Sequence, residues 1–596
     1  MLARAGFFYE AKGMAGATEA ELKRAKREAR ASALHARLAS WARMPKGFAA
    51  ETEPRTIGGF GRGRQLLAGR YMFGGHLVEA APGTSVWNVE SPGVAFAEDV
   101  HGCAWIDDLA AVGDGAARKL AQDWVFGWID QFRGGKGPGW APTLVGRRLL
   151  RWINHAQMLL AGQDDAGRAR FFRSLGQQTV YLSRRWKVAE PGLPRIEALA
   201  GLITAGMMLD GLDKRVEPAV QALALECERD VDDSGGIPSR SPEELLDLAM
   251  LITLTTSAMA AAGREVPIGI SGALSRIVPV LRALRHSDGG LARFHGGGRG
   301  AEGRLDYVLA TSGIRTLPGR DLAMGFARMA AGRTTVVLDS EAPPSYAGAN
   351  NAHASTLAFE LTSGRRPLVI SCGAGAAAGG RWRRAGRATP SHSALCIDGV
   401  SSARLGMWGK SEILVDGPNE VTYERVQEDG EDTFSGSHDG WLATHGLTAY
   451  RELSLSPDGR SLSGHDMLSA SSPEERWLFD FAMDGVMQGG IAFSVRFHLH
   501  PDAVPHEARD DDEVVIELRS GEVWVFRYEG DAELKISPSV YLEKGRIEPR
   551  ATKQIVLSSR VIDYSGQVSW TLSKTVDTPS HMRDVEIIDR DSEGWT

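Results

Sequence analysis

The chain has 596 residues and a formal net charge of -7, with 43% hydrophobic and 24% charged residues. This length suffices for about two to four domains with large apolar cores. The acidic balance argues against general nucleic-acid binding, which needs a strongly basic face. The four cysteines are scattered without a CxxC pair, which indicates neither a disulfide framework nor a thiolate zinc site.

Residues 1–85 are interpreted as an N-terminal extension. The segment "TEAELKRAKREARASALHARLASWARM" predicts a helix with little apolar surface, and "RYMFGGHLVEAAPGTSVWNV" predicts a small β excursion. The first thirty residues lack the apolar core of a secretory signal, which by itself would indicate a cytoplasmic protein. No uninterrupted apolar run reaches the ~18 residues of a membrane span, so none is expected.

Residues 86–315 have the period of amphipathic helices. In "RRLLRWINHAQMLLAG" and "RIEALAGLITAGMMLDG" the apolar residues recur at spacings of three and four, as in stacked antiparallel helix pairs. In "SRSPEELL", Ser241 is a candidate N-cap, Pro242 fits the first helical position, and Glu244 would complete a capping box.

The glycine-rich stretch "HSDGGLARFHGGGRGAEGRLDYVLATSG" lies where the helical pattern stops. It is interpreted as the connection between two domains. A second interpretation is a loop over a cleft, since binding sites are often found at domain junctions.

Residues 316–596 have the pattern of short strands separated by turns. Examples are "TTVVLD", "LVISC", "WLFDF" and "IAFSVRFHLH", and "VVIELRSGEVWVFRY" predicts a hairpin that turns at Ser520-Gly521. In "TLAFEL", alternating apolar residues predict a half-buried strand, with His353 on the same face. The fold prediction is therefore an all-α half followed by an antiparallel β-sandwich.

Eight of the fifteen histidines lie between residues 353 and 506. His353 and His392 each precede a predicted strand, so the two could converge on a metal or an acidic sugar. The alternative for each is a satisfied structural histidine. The arginine-rich "RWRRAGR" is either a solvated loop or a site for carboxylate or sulfate. The arginines of "RRLLRW", and Asn154-His155 after them, are expected on a helix surface.

Three segments resemble the β-domain core of the heparinase II/III family: "AGANNAHASTLAFELTSGRRPLVISCG", "RATPSHSALCIDG" and "SHDGWLATHGLTAYRELSLSPDGRSLSGHDML". Members are polysaccharide lyases with an α/α toroid, an incomplete helical barrel, before an antiparallel β-sandwich. The resemblance implies that fold here, with β-elimination on uronic-acid-containing glycans. That reaction needs a neutralised uronate carboxylate, a base and an acid, usually tyrosine or histidine.

The resemblance also implies site residues. His353 matches the second histidine of the family's H-x-H pair, whose first position is Asn351 here, and His392 matches the later histidine. Some members hold a structural zinc (Zn²⁺) there, whose acidic ligand would be replaced by Ser371 or Cys372. Together with the candidates from the arginine-rich loop and the histidine-rich β half, the lyase hypothesis takes His392, Tyr450 and Asn351 as catalytic residues and Arg240, Arg384, Arg387 and His438 as substrate contacts. The candidate zinc ligands are His353, His392 and Cys372.

The helical half departs from the family pattern. Leu193 and Pro194 stand where members carry Asn-His, and Glu244 stands where they carry a tyrosine. Asn154-His155 is a candidate substitute for that Asn-His, but its position within a helix favours the helix surface. Three hypotheses remain: a lyase acting on an acidic polysaccharide or oligosaccharide, a non-catalytic glycan-binding or cell-envelope protein, and a metal-dependent hydrolase. The resemblance implies a cell-envelope or periplasmic location, and the sequence does not indicate the oligomeric state.

Overall fold

The computed structural model describes residues 19–575 except 43, 54, 409–410, 485–488, 508–511 and 545. Most of its helices precede its large sheets, which confirms the predicted order of an α/α toroid followed by an antiparallel β-sandwich. The helices are α1 (Glu19–Ala39), α2 (Phe60–Leu67), α3 (Val94–Gly102), α4 (Trp105–Val112), α5 (Gly115–Phe132), α6 (Pro142–Asn154), α7 (Ala156–Leu160), α8 (Asp165–Arg185), α9 (Leu193–Met208), α10 (Glu217–Asp230), α11 (Pro242–Ala261), α12 (Ile268–Ala283), α13 (Arg304–Thr311), α14 (Gly380–Ala385), α15 (Leu442–His445) and α16 (Pro473–Met483).

The strands form two large sheets and two small hairpins. The strands are β1 (Arg70–Phe73), β2 (His76–Glu79), β3 (Phe326–Ala331), β4 (Thr334–Asp339), β5 (Phe359–Ser363), β6 (Arg366–Ile370), β7 (Leu395–Ile397), β8 (Arg404–Trp408), β9 (Ser411–Asp416), β10 (Val421–Glu428), β11 (Glu431–Trp441), β12 (Leu447–Leu455), β13 (Ser461–Ser469), β14 (Ile491–Leu499), β15 (Ala503–Glu507), β16 (Glu513–Leu518), β17 (Val523–Glu529), β18 (Glu533–Tyr541), β19 (Arg550–Val561) and β20 (Ser565–Lys574).

The helical half is held together by close helix crossings. Helices α6 and α9 cross at Gly146 and Gly201, where a Cβ added to Gly201 would lie 2.4 Å from the Gly146 Cα. Helix α11 is long and apolar enough to cross a membrane, but 67% of its apolar window is buried. It packs against α9 and α12. Its apolar length is therefore that of a core helix in the toroid.

The β half is a sandwich of two antiparallel sheets. One sheet has the order β10-β11-β12-β13-β20-β17-β16-β15, and the other has the order β18-β19-β14-β6-β5-β4-β3, with β7 also paired to β14. Phe359 and Phe497 of the second sheet pack against Trp570 of the first, with ring centroids 5.7 Å and 4.8 Å away. The sandwich core lies between the sheets. The predicted hairpin at Ser520-Gly521 joins β16 to β17, and the predicted β excursion is β1-β2.

One predicted strand is a helix. "WLFDF" lies inside α16, where Ser472 accepts a hydrogen bond from the Glu475 backbone and the Glu475 carboxylate accepts one from the Ser472 backbone. This capping box, with Pro473 at the first helical position, starts a helix that the short apolar run does not indicate. Phe479 faces the core, while Trp477 and Phe481 are exposed.

Two finer predictions also differ from the structure. Strand β5 begins only at Phe359, because Leu357 has a left-handed φ of 62° that interrupts the extended backbone before it. The strand is also buried on both faces, whereas the alternating pattern predicted a half-buried strand. Ser241 is the N-cap of α11 and Pro242 its first residue, as predicted, but no side-chain capping bond forms. The Ser241 backbone N–H lies instead 3.4 Å from the Ser239 hydroxyl.

Candidate ligand-binding cleft

A cleft of about 860 Å³ lies between the toroid and the sandwich. Helices α6, α9 and α11 contribute to its helical side, and the segments 373–378 and 541–544 contribute from the β half. The loop Gly296–Gly300 forms a third wall, so the glycine-rich stretch does border a cleft, as its second interpretation proposed. Such an interdomain cavity is the usual kind of place for a ligand.

The glycine loop, residues Gly296–Gly300, separates the cleft from a cluster of histidines. Gly296 has a φ of 81°, and a Cβ on it would lie 2.5 Å from the Asn351 Cβ. Its backbone N–H donates to His353 Nε2 over 3.0 Å. Only glycine fits this close approach at a positive φ. The loop therefore packs directly over Asn351 and His353.

The histidine cluster comprises His295, His353 and His392. The ring centroids of His353 and His392 are 4.9 Å apart, which confirms the prediction that these two residues lie close together. The His295 ring lies 5.8 Å from that of His353. All three side chains are buried, with His353 and His392 0% exposed. The cluster is a sealed part of the interface between the two halves.

Burial sets the protonation of this cluster. Burial, together with the neighbouring imidazoles, holds the pKa of His353 well below its usual value. Burial and the nearby His498 lower the pKa of His392 to about 3. Both rings are therefore neutral at pH 7. The two ring nitrogens of His353 face the backbone N–H groups of His295 and Gly296, so the ring is directed at the loop backbone.

The implied zinc ligands do not meet at one point. The Cys372 sulfur lies 3.4 Å from His498 Nδ1, and burial raises the pKa of this thiol to about 11. His392 Nδ1 lies 3.1 Å from the Ser371 hydroxyl. Across the described residues, no group of three or more histidine, cysteine or carboxylate side chains could hold a metal ion. These residues do not fit a zinc site, and metal content stays a prediction for metal analysis.

Arg240 joins the two halves through a buried ion pair. Its Nη2 lies 2.5 Å from Asp339 Oδ1, and its other nitrogens donate to the backbone carbonyls of Met324 and Ala342. Arg240 itself has a left-handed φ of 49°, a strained conformation for a residue with a side chain. The guanidinium binds groups of the β half across the interface, and Arg240 does not border the cleft.

The other implied substrate and catalytic residues lie elsewhere. Arg387 is buried and donates to three backbone carbonyls, including that of Glu412, whose side chain pairs with Arg384 at 2.8 Å. His438 is buried beside Trp441. Tyr450 lies in the middle of β12, between β11 and β13. None of the residues implied by the resemblance is among the described residues that line the cleft.

The cleft is bordered instead by residues that were expected on a surface. Arg147 and Arg151 of "RRLLRW" line it, whereas Arg148 and Trp152 are 0% exposed in the toroid core. Arg148 is buried because its guanidinium stacks on Trp128, 3.9 Å from the ring centroid. The surface expectation is wrong for Arg148 and Trp152, whereas the Arg147 side chain is 34% exposed.

The expectation for Asn154-His155 is wrong in the same way. Both residues are buried, and His155 lies at the break between α6 and α7. Its Nε2 is 2.9 Å from Asp107 Oδ1. The apolar period did not reveal the break, because the buried residues Leu149, Ile153, Ala156 and Leu160 keep helical spacing across it.

Tyr541 and Arg293 are cleft residues that sequence reasoning did not find. Tyr541 ends β18, and the Arg293 guanidinium lies 6.0 Å from its ring centroid. Arg293 also pairs with Glu360 at 3.3 Å. The glycine-rich stretch was the one signal near Arg293, and no sequence pattern singled out Tyr541.

Comparisons with known proteins agree with this architecture. A family model described as "Heparinase II/III-like, C-terminal" matches residues 319–571. "FtsZ-localized protein C" of Caulobacter vibrioides is 31% identical over 550 residues, covering 89% of this chain and 91% of the relative.

Two solved structures illustrate the similarity in fold. One is described as heparinase III, with 12% identity, a TM-score of 0.61 and coverage of 93% of this chain and 91% of that one. The other is the heparan sulfate lyase HepC from Pedobacter heparinus, with 16% identity, a TM-score of 0.52 and coverage of 92% and 88%. At these identities the likeness concerns the fold alone.

Proposed function

Because this chain belongs to the heparinase II/III-like family, we propose that it is a polysaccharide lyase-like protein that binds a glycan in the interdomain cleft without cleaving it. The observation that carries this proposal is the separation of the histidine cluster from the cleft by the glycine loop. His353 and His392 are 0% exposed, and the loop backbone bonds to the His353 ring.

A β-elimination needs a base within reach of the sugar and a group that neutralises its carboxylate. The described residues lining the cleft include one tyrosine, Tyr541, and no histidine. The helical positions where lyases carry Asn-His and tyrosine are here Leu193, Pro194 and Glu244. These features favour binding over catalysis.

The experiment is a paired assay of cleavage and binding. Purified protein is incubated with heparan sulfate, chondroitin, alginate and uncharged glycans, while ultraviolet absorbance follows unsaturated uronate and calorimetry follows binding. We expect no absorbance gain and binding of at least one glycan. Product formation would contradict the proposal, and Tyr541→Phe with His353→Ala would then identify the base.

The name of the relative from Caulobacter vibrioides supports a proposal about where this protein acts. We propose that this chain, too, is found with FtsZ, since the two proteins match over 89% of its length. The purified chain should sediment with assembled FtsZ and stay in the supernatant when FtsZ is omitted. Equal amounts in the pellet with and without FtsZ would contradict this part of the proposal.

A further inference from the structure

The cleft has nearly balanced charge. Its eight basic lining residues are Arg62, Arg147, Arg151, Arg293, Arg299, Arg304, Lys544 and Arg546. Its seven acidic lining residues are Asp99, Asp107, Glu197, Glu243, Asp247, Glu543 and Glu548. A groove for a polysulfated or polyuronate chain would present an excess of cations along its length.

Seven of the eight described cations that line the cleft are paired with carboxylates, and Arg62 is the exception. On the helical side, Arg147 lies 2.7 Å from Glu197, and Arg304 lies 2.6 Å from Asp247. Lys544, from the β half, lies 2.7 Å from Glu243.

The remaining pairs follow the same pattern: Arg151 with Asp107 at 3.1 Å, Arg293 with Glu360 at 3.3 Å, Arg299 with Asp288 at 3.8 Å, and Arg546 with Glu543 at 3.1 Å. An anionic ligand would have to compete with these carboxylates for all of the lining cations except Arg62.

Three residues that line the cleft each carry a buried hydrogen-bonding atom without a partner among the described residues. These are Nε of Arg293, Nε of Arg304 and Oε2 of Glu197. The Arg293 side chain is only 4% exposed. Buried polar atoms normally have a hydrogen-bond partner. Two donors and one acceptor suit hydroxyl and amide groups, which both donate and accept.

Two walls of the cleft consist mostly of glycine and alanine residues, whose small side chains leave the backbone near the cleft. The loop Gly296–Gly300 and the segment Gly373–Ala378 line it with glycine and alanine. Gly373 has a φ of 99°, and a Cβ there would lie 2.6 Å from the Leu542 carbonyl oxygen, so this wall cannot carry a larger residue without shifting. Walls of this kind leave backbone polar groups close to a ligand in the cleft.

We propose that the ligand of this cleft is an uncharged glycan, recognised through its hydroxyl or acetamido groups. This inference rests on the proposed glycan-binding function and adds the class of ligand. It departs from an acidic-glycan ligand because seven of the eight described cations that such a ligand would use are already paired with carboxylates.

Calorimetry with three hexasaccharides tests the ligand class: chitohexaose, cellohexaose and a heparin hexasaccharide. We expect chitohexaose or cellohexaose to bind at least about tenfold more tightly than the heparin fragment, with little change at high salt. Tighter binding of the heparin fragment would overturn the inference and leave glycan binding intact. If none of the three binds, and the broader panel fails too, the proposed function itself fails.

A second experiment tests the role of ion pairing. Glu243→Gln releases Lys544, and Glu197→Gln releases Arg147, without removing either cation. Each variant should bind the heparin fragment about tenfold more tightly than the wild type does. The matched control is Glu217→Gln, whose partner Arg264 lies 2.7 Å away and outside the cleft lining. Unchanged heparin affinity in both folded cleft variants, checked by thermal melting, would overturn the inference.

Discussion

At the scale of single residues, the buried pair of Arg451 and Asp466 is the clearest test of how charge is accommodated in the sandwich. Arg451 Nε donates to Asp466 over 2.8 Å, and the two side chains are 1% and 0% exposed. Arg451→Leu would leave the carboxylate buried without its cation, which costs about 3–5 kcal/mol. We expect a large fall in the urea midpoint of the β half.

The control for this prediction is Arg404→Leu. Arg404 pairs with Asp416, but the side chains are 71% and 63% exposed. Exposed pairs contribute about 0–1 kcal/mol. Equal shifts in the two variants would show that burial does not determine the strength of these pairs.

The ion pair between Asp339 and Arg240 should make the stability of the contact between the two halves depend on pH. Burial alone would raise the pKa of Asp339, but Arg240 and His295 beside it hold that pKa well below its usual range. The unfolded chain therefore binds a proton at this site more readily than the folded chain does. The stabilisation is present above about pH 4 and is lost as pH falls towards the folded pKa.

Asp339→Asn should lower stability at pH 7 and reduce the further loss of stability on acidification below about pH 4. Denaturant unfolding over a pH series measures both effects. Parallel pH curves for variant and wild type would contradict the assignment.

The sequence predicted some residue positions and missed others for a physical reason. His353 and His392 could be placed together because each precedes a strand of the same fold pattern. Tyr541 and Arg293 reach the cleft from distant segments, and their roles depend on tertiary packing. Periodicity describes which face of an element is apolar, but it does not say which other element that face meets.

At the scale of elements, the crossing of α6 and α9 depends on glycine. Gly201→Ala would place a Cβ 2.4 Å from the Gly146 Cα, and the two helices would have to move apart. Such overpacking costs about 1–3 kcal/mol. We expect a lower melting temperature for the toroid.

Gly272→Ala in α12 is the matched control. A Cβ there has its nearest atom, on the Arg276 side chain, at 3.5 Å, which is an ordinary contact. Alanine should stabilise this helix by about 0.5–1 kcal/mol. If both alanines stabilise the protein, the close crossing is not what requires Gly201.

The sequence predicted the type of an element correctly where its pattern was long, and the prediction failed where the pattern was short. The helices of the toroid and the hairpin at Ser520-Gly521 have sustained periods or a specific turn. "WLFDF" is five residues long, and a short apolar run does not separate strand from helix. The start signal at Ser472 and Glu475 was the better guide, because it satisfies the first backbone N–H groups of α16.

At the scale of the whole molecule, buried histidines predict a loss of stability in mild acid. Burial lowers the pKa of His101 in the toroid to about 3 and that of His438 in the sandwich to about 4. The unfolded chain binds these protons near pH 6.5, so folding stability falls as pH drops from about 6.5 to 4. His438→Gln should reduce this slope in denaturant unfolding, and an unchanged slope would contradict the prediction.

All four cysteines are buried and free. Burial raises the pKa of Cys103 and Cys372 to about 11 and that of Cys227 and Cys396 to about 12. A thiol reagent at pH 8 should therefore label the native protein very slowly and all four thiols after denaturation. Rapid labelling of the native protein at Cys372 would show that this part of the interface opens.

The place of β20 in its sheet constrains how the protein is synthesised. This strand, Ser565–Lys574, lies between β13 and β17, so it joins two groups of strands made earlier. Until it leaves the ribosome, β13 and β17 each present an unpaired edge, and Trp570 is missing from the core. Exposed edges of this kind invite association with other chains. The nascent protein thus completes its sandwich only after β20 has been synthesised, and a chain that stops before Ser565 would carry two open sheet edges into the cell.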